Sequence, residues 1–241
     1  MTLMEHLGEL RTRVMISFIA VAAGGVIGWF LFPPVFSFLQ KPYCQIIHEH
    51  PDMAVKPGSC QFIYTSAIQP FFIKLKVVTF IGFGFALPIV LWQVWRFVTP
   101  GLKGSEKRYA IPFVTASIIL FGLGAWFGIF TLPKALNFLL GFAGNGLVSA
   151  LDVTKYMSFV FFMIAAFGLS FEFPVALLAF VVVGILDSGK LRRRRRGAIV
   201  GIAAFAAVIT PTQDWFTMTA MMVPLIIFYE LSIIVARLLK K

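Results

Sequence analysis

Glu172 sits near the middle of a long apolar stretch, in the run Phe171-Glu172-Phe173-Pro174. A carboxylate at membrane depth costs a few kcal/mol or more, so it must face protein, a cavity or a partner rather than lipid. One chemistry open to it is that of the titrating group in a proton- or ion-coupled carrier. A purely structural account is a protonated acid bonded to Gln93 or to a backbone carbonyl freed by Pro174. Two further acids stand beside basic residues. Glu106 shares the segment 96–108 with Arg96, Lys103, Lys107 and Arg108, and Glu9 lies four residues before Arg13. Each also has an ordinary reading: Ser105 as a helix cap with Glu106 in the first turn, and Glu9–Arg13 as a surface pair worth little.

Cys44 and Cys60 fall in one polar segment. Outside the cytoplasm such a pair reads either as a loop-closing disulfide or as two inert thiols. His6, His48 and His50 offer no metal site, because His48 and His50 stand close together without a rigid third ligand. No GxSxG, HExxH, P-loop or dinucleotide fingerprint occurs, and an intramembrane enzyme would need a paired nucleophile and base that the chain lacks. An ion-coupled carrier would need several polar residues from different spans, usually in two related halves. Apart from Glu172 and Gln93 little of that kind is present, and there is no internal repeat.

The elements that must position these residues follow from composition. Of 241 residues, 59% are hydrophobic and 13% charged, with a mean hydropathy of +0.91. A soluble domain carries about a quarter charged residues. The apolar residues come in six blocks, which read as transmembrane helices over 14–32, 77–95, 109–132, 156–185, 197–209 and 215–236. The expected fold is therefore all-α: one polytopic domain over 1–241, both termini on the same side, preceded by a short interfacial helix over 1–13. Thr2 to Glu5 fits a capping box for that helix, and Pro33-Pro34 closes the first span. The fifth span is the short one, at roughly 20 Å against the ~30 Å hydrocarbon core. Either Arg193–Arg196 extend it and snorkel, or the bilayer thins beside it.

The net charge of +11 could suggest nucleic acid, but 15 of the 21 Lys and Arg occupy the N-terminus, 96–108, 190–196 and the last five residues. Those segments all fall on one side of the predicted topology, which makes that side cytoplasmic by the positive-inside bias. The run Arg192–Arg196 then reads as an orientation signal and a grip on anionic lipid headgroups. A bacterial plasma (inner) membrane is the expected location, and no nucleic-acid partner is expected.

Four motifs occur in order along these elements. His6-Leu7-Gly8-Glu9-Leu10-Arg11-Thr12-Arg13 resembles H-L-x-E-L-R-x-R, and Trp95 to Pro100 with Leu102 and Glu106 resembles W-x-F-x-x-P-x-L-x-x-x-E. Ala166 to Pro174 resembles A-F-G-x-x-F-E-x-P, and Pro224 with Tyr229-Glu230-Leu231 completes the set. Over nearly its whole length the chain resembles the TatC family, the polytopic receptor subunit of the twin-arginine translocase. The resemblance implies six spans with the last two short, and no enzymatic activity or cofactor. It implies binding of twin-arginine signal peptides of folded cargo at the cytoplasmic face. It also implies recruitment of single-span subunits of the TatA/TatB type, in an oligomeric complex powered by the proton gradient. By the same likeness Glu106 is the main acceptor for the signal, Glu9 the second, and Phe97 an apolar contact. Adjacent guanidinium groups suit such acids because arginine makes bidentate, charge-assisted bonds. Glu172 would line a membrane groove that meets partner subunits, Asp214 would be an acid of the last outer turn, and Pro42 would be structural. The turn Thr210-Pro211-Thr212-Gln213-Asp214 is one residue longer than the T-P-P-D usual in that family, and the cysteines and the arginine run are not part of its pattern.

Overall fold

The computed structural model describes residues 3–49, 60–98, 110–141, 151–212 and 214–238. Among them the chain forms α1 (Leu3–Glu49), α2 (Gln69–Val98), α3 (Ala110–Gly141), α4 (Val153–Phe171), α5 (Phe173–Val182), α6 (Ser188–Arg193), α7 (Arg195–Ile209) and α8 (Trp215–Leu238). No strand occurs among the described residues, only an isolated bridge between Ile63 and Asp152. Five stretches are long and apolar enough to cross a membrane: Met4–His48, Gln69–Phe97, Ala110–Gly141, Val153–Val182 and Trp215–Leu238. Their outward residues are apolar too, with Phe30 77% and Ile111 67% exposed. Helices apolar on their outer faces belong in lipid, and the chain is a multi-pass membrane protein.

Five of the six expected spans are present as helices long and apolar enough to cross a membrane, and the structure departs from the expected elements in three places. First, no separate interfacial helix precedes span one. Residues 3–13 are the opening turns of α1, which runs unbroken for 47 residues and passes through Pro33-Pro34. In water a proline pair would end a helix. In hydrocarbon every other backbone group still needs an internal partner, so the helix continues. At ~1.5 Å per residue α1 is about 70 Å long, over twice the hydrocarbon thickness, and its last turns extend beyond the span. Second, the fourth span is broken at Glu172, where α4 gives way to α5 because Pro174 has no amide to donate. Third, α7 begins at Arg195 rather than Gly197 and is still only 15 residues long, whereas α8 is a full-length helix of 24. Of the two closing helices only α7 is short.

Backbone contacts divide the chain into two compact units, 1–38 with 68–119, and 39–67 with 120–241. In the first, α1 and α2 meet through glycine. A Cβ on Gly24 would lie 2.5 Å from the Gly82 carbonyl oxygen, and one on Gly28 would lie 2.8 Å from that of Val78. This is the small-xxx-small contact by which membrane helices pack when no hydrophobic effect drives them together. The second unit repeats the device between α3 and α4, where Gly124 and Gly128 approach the Phe167 and Met163 carbonyls. Around it Tyr156, Met157, Val160, Met163, Phe167, Met221 and Leu225 form a closed apolar core.

Candidate recognition site

The spacing of the first motif places His6, Glu9 and Arg13 on one face of α1, three and four residues apart. In the first unit that face meets the end of α2. Arg13 Nη2 donates to Glu9 Oε1 at 3.0 Å, and Arg13 Nη1 donates to Gln93 Oε1 at 3.1 Å. Glu9 and Arg13 are largely covered, with side chains 20% and 17% exposed, so the pair is more than the surface contact its spacing alone suggests. Gln93 answers Arg13 here, not Glu172. One turn before Glu9 and one after Gln93, the His6 ring stacks on Phe97 with centroids 4.4 Å apart. Trp95, between them in sequence, is buried and stacks on Phe113 of α3 at 4.5 Å. Two of the expected site residues, Glu9 and Phe97, are thus brought to one end of one unit. The third, Glu106, lies outside the described residues, as do Pro100, Leu102 and the Thr2 of the expected cap.

The chemistry open to this patch is hydrogen bonding to a cation. A carboxylate offers about four lone-pair sites, and Glu9 already holds a guanidinium in a charge-assisted bond. An aromatic face lies alongside, suited to the apolar stem of a basic side chain. The motif spacing pointed to Glu9. It carried no sign of Gln93 or of the His6–Phe97 stack, since both involve partners some eighty to ninety residues away.

In the second unit, Glu172 caps the end of α4, its amide donating to the Leu169 carbonyl at 3.1 Å, and its own carbonyl receives the Ala176 amide at 3.0 Å. Its side chain is half-buried at the N-terminus of α5, where the helix dipole favours a negative charge. Asp214 is only 2% exposed. Its Oδ2 accepts the Thr217 amide at 2.7 Å, its Oδ1 takes the Thr217 hydroxyl, and Thr212 Oγ1 lies 3.0 Å from that same hydroxyl. Asp214 therefore caps α8 and closes the turn from within.

Pro42 is buried inside α1. Around it, Gln40 donates to the Cys60 carbonyl, Tyr43 stacks on Phe62 at 4.5 Å, and the Tyr156 hydroxyl donates to the Leu39 carbonyl at 2.7 Å. The segment after Cys60 is thereby laid against the end of α1, beside Cys44. Both are free thiols here. Burial, then the contact with Cys60, pushes the Cys44 thiol up to about 12.

The arginine run is not a single helix face. Arg193 ends α6, Arg194 is the joint, and Arg195 opens α7 and pairs with Glu230 of α8 at 2.5 Å. The pairing of Glu230, which belongs to the last of the four motifs, was not foreseen from spacing. Ahead of the run, Asp187 caps α6 by accepting the Lys190 amide at 2.6 Å. That bond, helped by the Lys190 ammonium, holds its carboxyl below the usual range. Among the described residues no group of His, Cys, Asp and Glu could hold a metal ion.

Comparison with known proteins identifies the family. The family model described as Sec-independent protein translocase protein (TatC) matches residues 5–224. The TatC protein of Frankia casuarinae is 41% identical over 238 residues, covering 98% of this chain and 65% of that relative, so the chain spans a little under two thirds of its length. The TatC protein of Aquifex aeolicus is 38% identical over 241 residues, covering 99% of this chain and 95% of that one. A crystal structure of a twin-arginine translocase receptor, TatC, in DDM superposes with a TM-score of 0.74 at 37% identity, covering 96% of this chain and 99% of that one. A translocase family carries no catalytic step for which a nucleophile and base would be needed. The chain belongs to the TatC family of Sec-independent protein translocase proteins.

Proposed function

We propose that the protein is the signal-peptide receptor of a twin-arginine translocase, with Glu9 and Glu106 as carboxylate acceptors for the paired arginines and Phe97 as an apolar contact beside them. The observation that carries this reading is the Glu9–Arg13–Gln93 chain next to the His6–Phe97 stack. It is a carboxylate that already binds a guanidinium, held by two helices of one unit, with an aromatic face within reach. The charge pattern supports a cytoplasmic location for this end and for both termini, in a bacterial inner membrane. In the same reading, Glu172 meets single-span partner subunits of the TatA/TatB type in an oligomeric complex, with Asp214 holding the turn that enters α8. Cargo movement draws on the proton gradient, and the basic segments rest on anionic lipids.

The deciding measurement is binding of the detergent-purified protein to a signal peptide bearing Arg-Arg and to the same peptide bearing Lys-Lys. We expect a preference for Arg-Arg, because the planar fork pairs bidentately and the ammonium does not. Glu106→Ala, and Glu9→Ala to a lesser degree, should each weaken Arg-Arg binding, the former by about 2 kcal/mol, as removing one partner of a charge-assisted pair does. A folded protein that binds both peptides equally would refute the receptor reading and bring a Glu172-based solute carrier forward.

A further inference from the structure

Beyond the break at Glu172 lies a hollow whose lining includes none of Glu9, Phe97, Glu172 or Asp214. After α5 starts at Phe173 it runs only ten residues and stops at a glycine in the left-handed region, Gly184, with φ 84°. Gly184 donates to the Val181 carbonyl and Ile185 to that of Phe180, both at 3.0 Å, which closes the helix end completely and turns the chain sharply. The short α6 follows, and its Leu191 is pinned beneath α8 by the Tyr229 hydroxyl donating to the Leu191 carbonyl at 2.8 Å. Between α5, α6, the start of α7 and Tyr229 remains an open basin of about 1040 Å³. Its walls are of two kinds. Phe173, Leu177 and Leu186 supply its apolar lining, and Lys190, Arg193 and Arg194 its basic lining.

The charges are unequal. Asp187 is the one acid of the lining, and it is already spent on capping α6 and on Lys190 Nζ at 3.4 Å. Arg193 and Arg194 are exposed and paired with no carboxylate among the described residues, in contrast to Arg195. Two unneutralised guanidinium groups above an apolar wall, in a membrane protein, match an amphiphile with an anionic head. The depth fits as well. α7, which borders the basin, is about 22 Å long against a ~30 Å core, so lipid beside it must bring its headgroup inward to this level.

We infer that this basin is a binding site for an anionic phospholipid, its phosphate held by Arg193 and Arg194 and its acyl chains laid along Phe173 and Leu177. The inference stands on the second unit alone and does not depend on how signal peptides are recognised.

The test uses the full chain, purified in detergent, stripped of lipid and titrated separately with phosphatidylglycerol, with phosphatidylcholine of the same chains, and with inorganic phosphate. Bound species are counted by native mass spectrometry. Phosphatidylglycerol should be retained where phosphatidylcholine is lost and should not be displaced by phosphate. The double variant Arg193→Gln, Arg194→Gln should lower its occupancy about tenfold or more. Ala198→Phe, which fills the basin and keeps both arginines, should lower it too, whereas Arg237→Gln at the end of α8 should leave it unchanged. Thermal unfolding of each variant confirms that it is folded. Equal retention of the two lipids, or an equal loss in Arg237→Gln, would show only general attraction to a basic surface and overturn the site. Displacement by phosphate would make it a simple anion site and overturn the lipid assignment.

Discussion

Cys44 shows how much a single side chain inherits from its neighbours. Gln40, one turn earlier on α1, holds the Cys60 carbonyl, and Tyr43 stacks on Phe62 two residues beyond Cys60. Backbone and ring contacts on both sides thus bring the two thiols near one another before any covalent chemistry. With Cys44 raised to about 12, almost none of it is thiolate at neutral pH, and the thiolate is the reactive form. In the reduced protein, alkylation of Cys44 should therefore be slow at pH 7–8 and should accelerate as pH rises toward that value. We expect the protein matured in an oxidising compartment to carry a Cys44–Cys60 disulfide, formed by exchange with a disulfide donor that leaves as its dithiol. The bridge would be worth about 3 kcal/mol for a loop of this size. Intact mass under non-reducing conditions decides: a value lower by two hydrogens supports the bond, and two alkylatable thiols would rule it out.

At the scale of elements, helices α1 and α2 are held by the absence of side chains. Gly82 would place a Cβ 2.6 Å from the Gly25 amide nitrogen and 2.7 Å from the Val21 carbonyl oxygen, whereas a Cβ on Gly84 meets nothing within 4 Å. Gly82→Leu should therefore force the helices apart and destabilise the first unit by about 1–3 kcal/mol, as overpacking does. Gly84→Leu, two residues along the same helix, should be close to neutral. Thermal unfolding in one detergent compares them, and equal effects would mean that the close approach does not hold the pair. Such contacts also explain what could be read in advance. The apolar blocks announced each of the five helices long enough to cross a membrane, because hydrocarbon thickness sets their length. The bounds were less legible. Pro33-Pro34 looked like an exit and is helix, while Pro174 ends α4 two residues early, at Glu172. Proline by itself does not say which, since the outcome depends on whether neighbouring groups re-satisfy the freed carbonyls. Glu9 was legible from its motif. Its setting was not, because Gln93 reaches Arg13 across 80 residues of sequence.

At the scale of the molecule, the expected roles fall into different units. Glu9 and Phe97 belong to the first, and Glu172, Asp214 and the cysteine pair to the second. The proposed site for a doubly positive signal would stand on a protein of net charge +11, where long-range attraction cannot bring the two together. Affinity must come from carboxylates at contact distance, where an ion pair outweighs a field screened over ~8–10 Å. Recognition then depends on the local geometry of the first unit and not on Glu172. In the proposed function, contact with single-span partners would rest instead on Glu172, a half-buried residue at the α4–α5 break of the second unit, whose carboxylate is costly to bury in lipid. For Glu172→Ala we accordingly expect unchanged Arg-Arg peptide affinity together with a clear loss of site-specific crosslinks to the single-span subunits in membranes. Glu172→Gln, which keeps a hydrogen-bonding side chain without the charge, distinguishes polarity from ionisation. Crosslinks restored in Gln would assign the role to hydrogen bonding, and crosslinks lost in both would assign it to the carboxylate. Normal crosslinking in Glu172→Ala would remove Glu172 from the partner surface and leave its place at the α4–α5 break as its whole contribution.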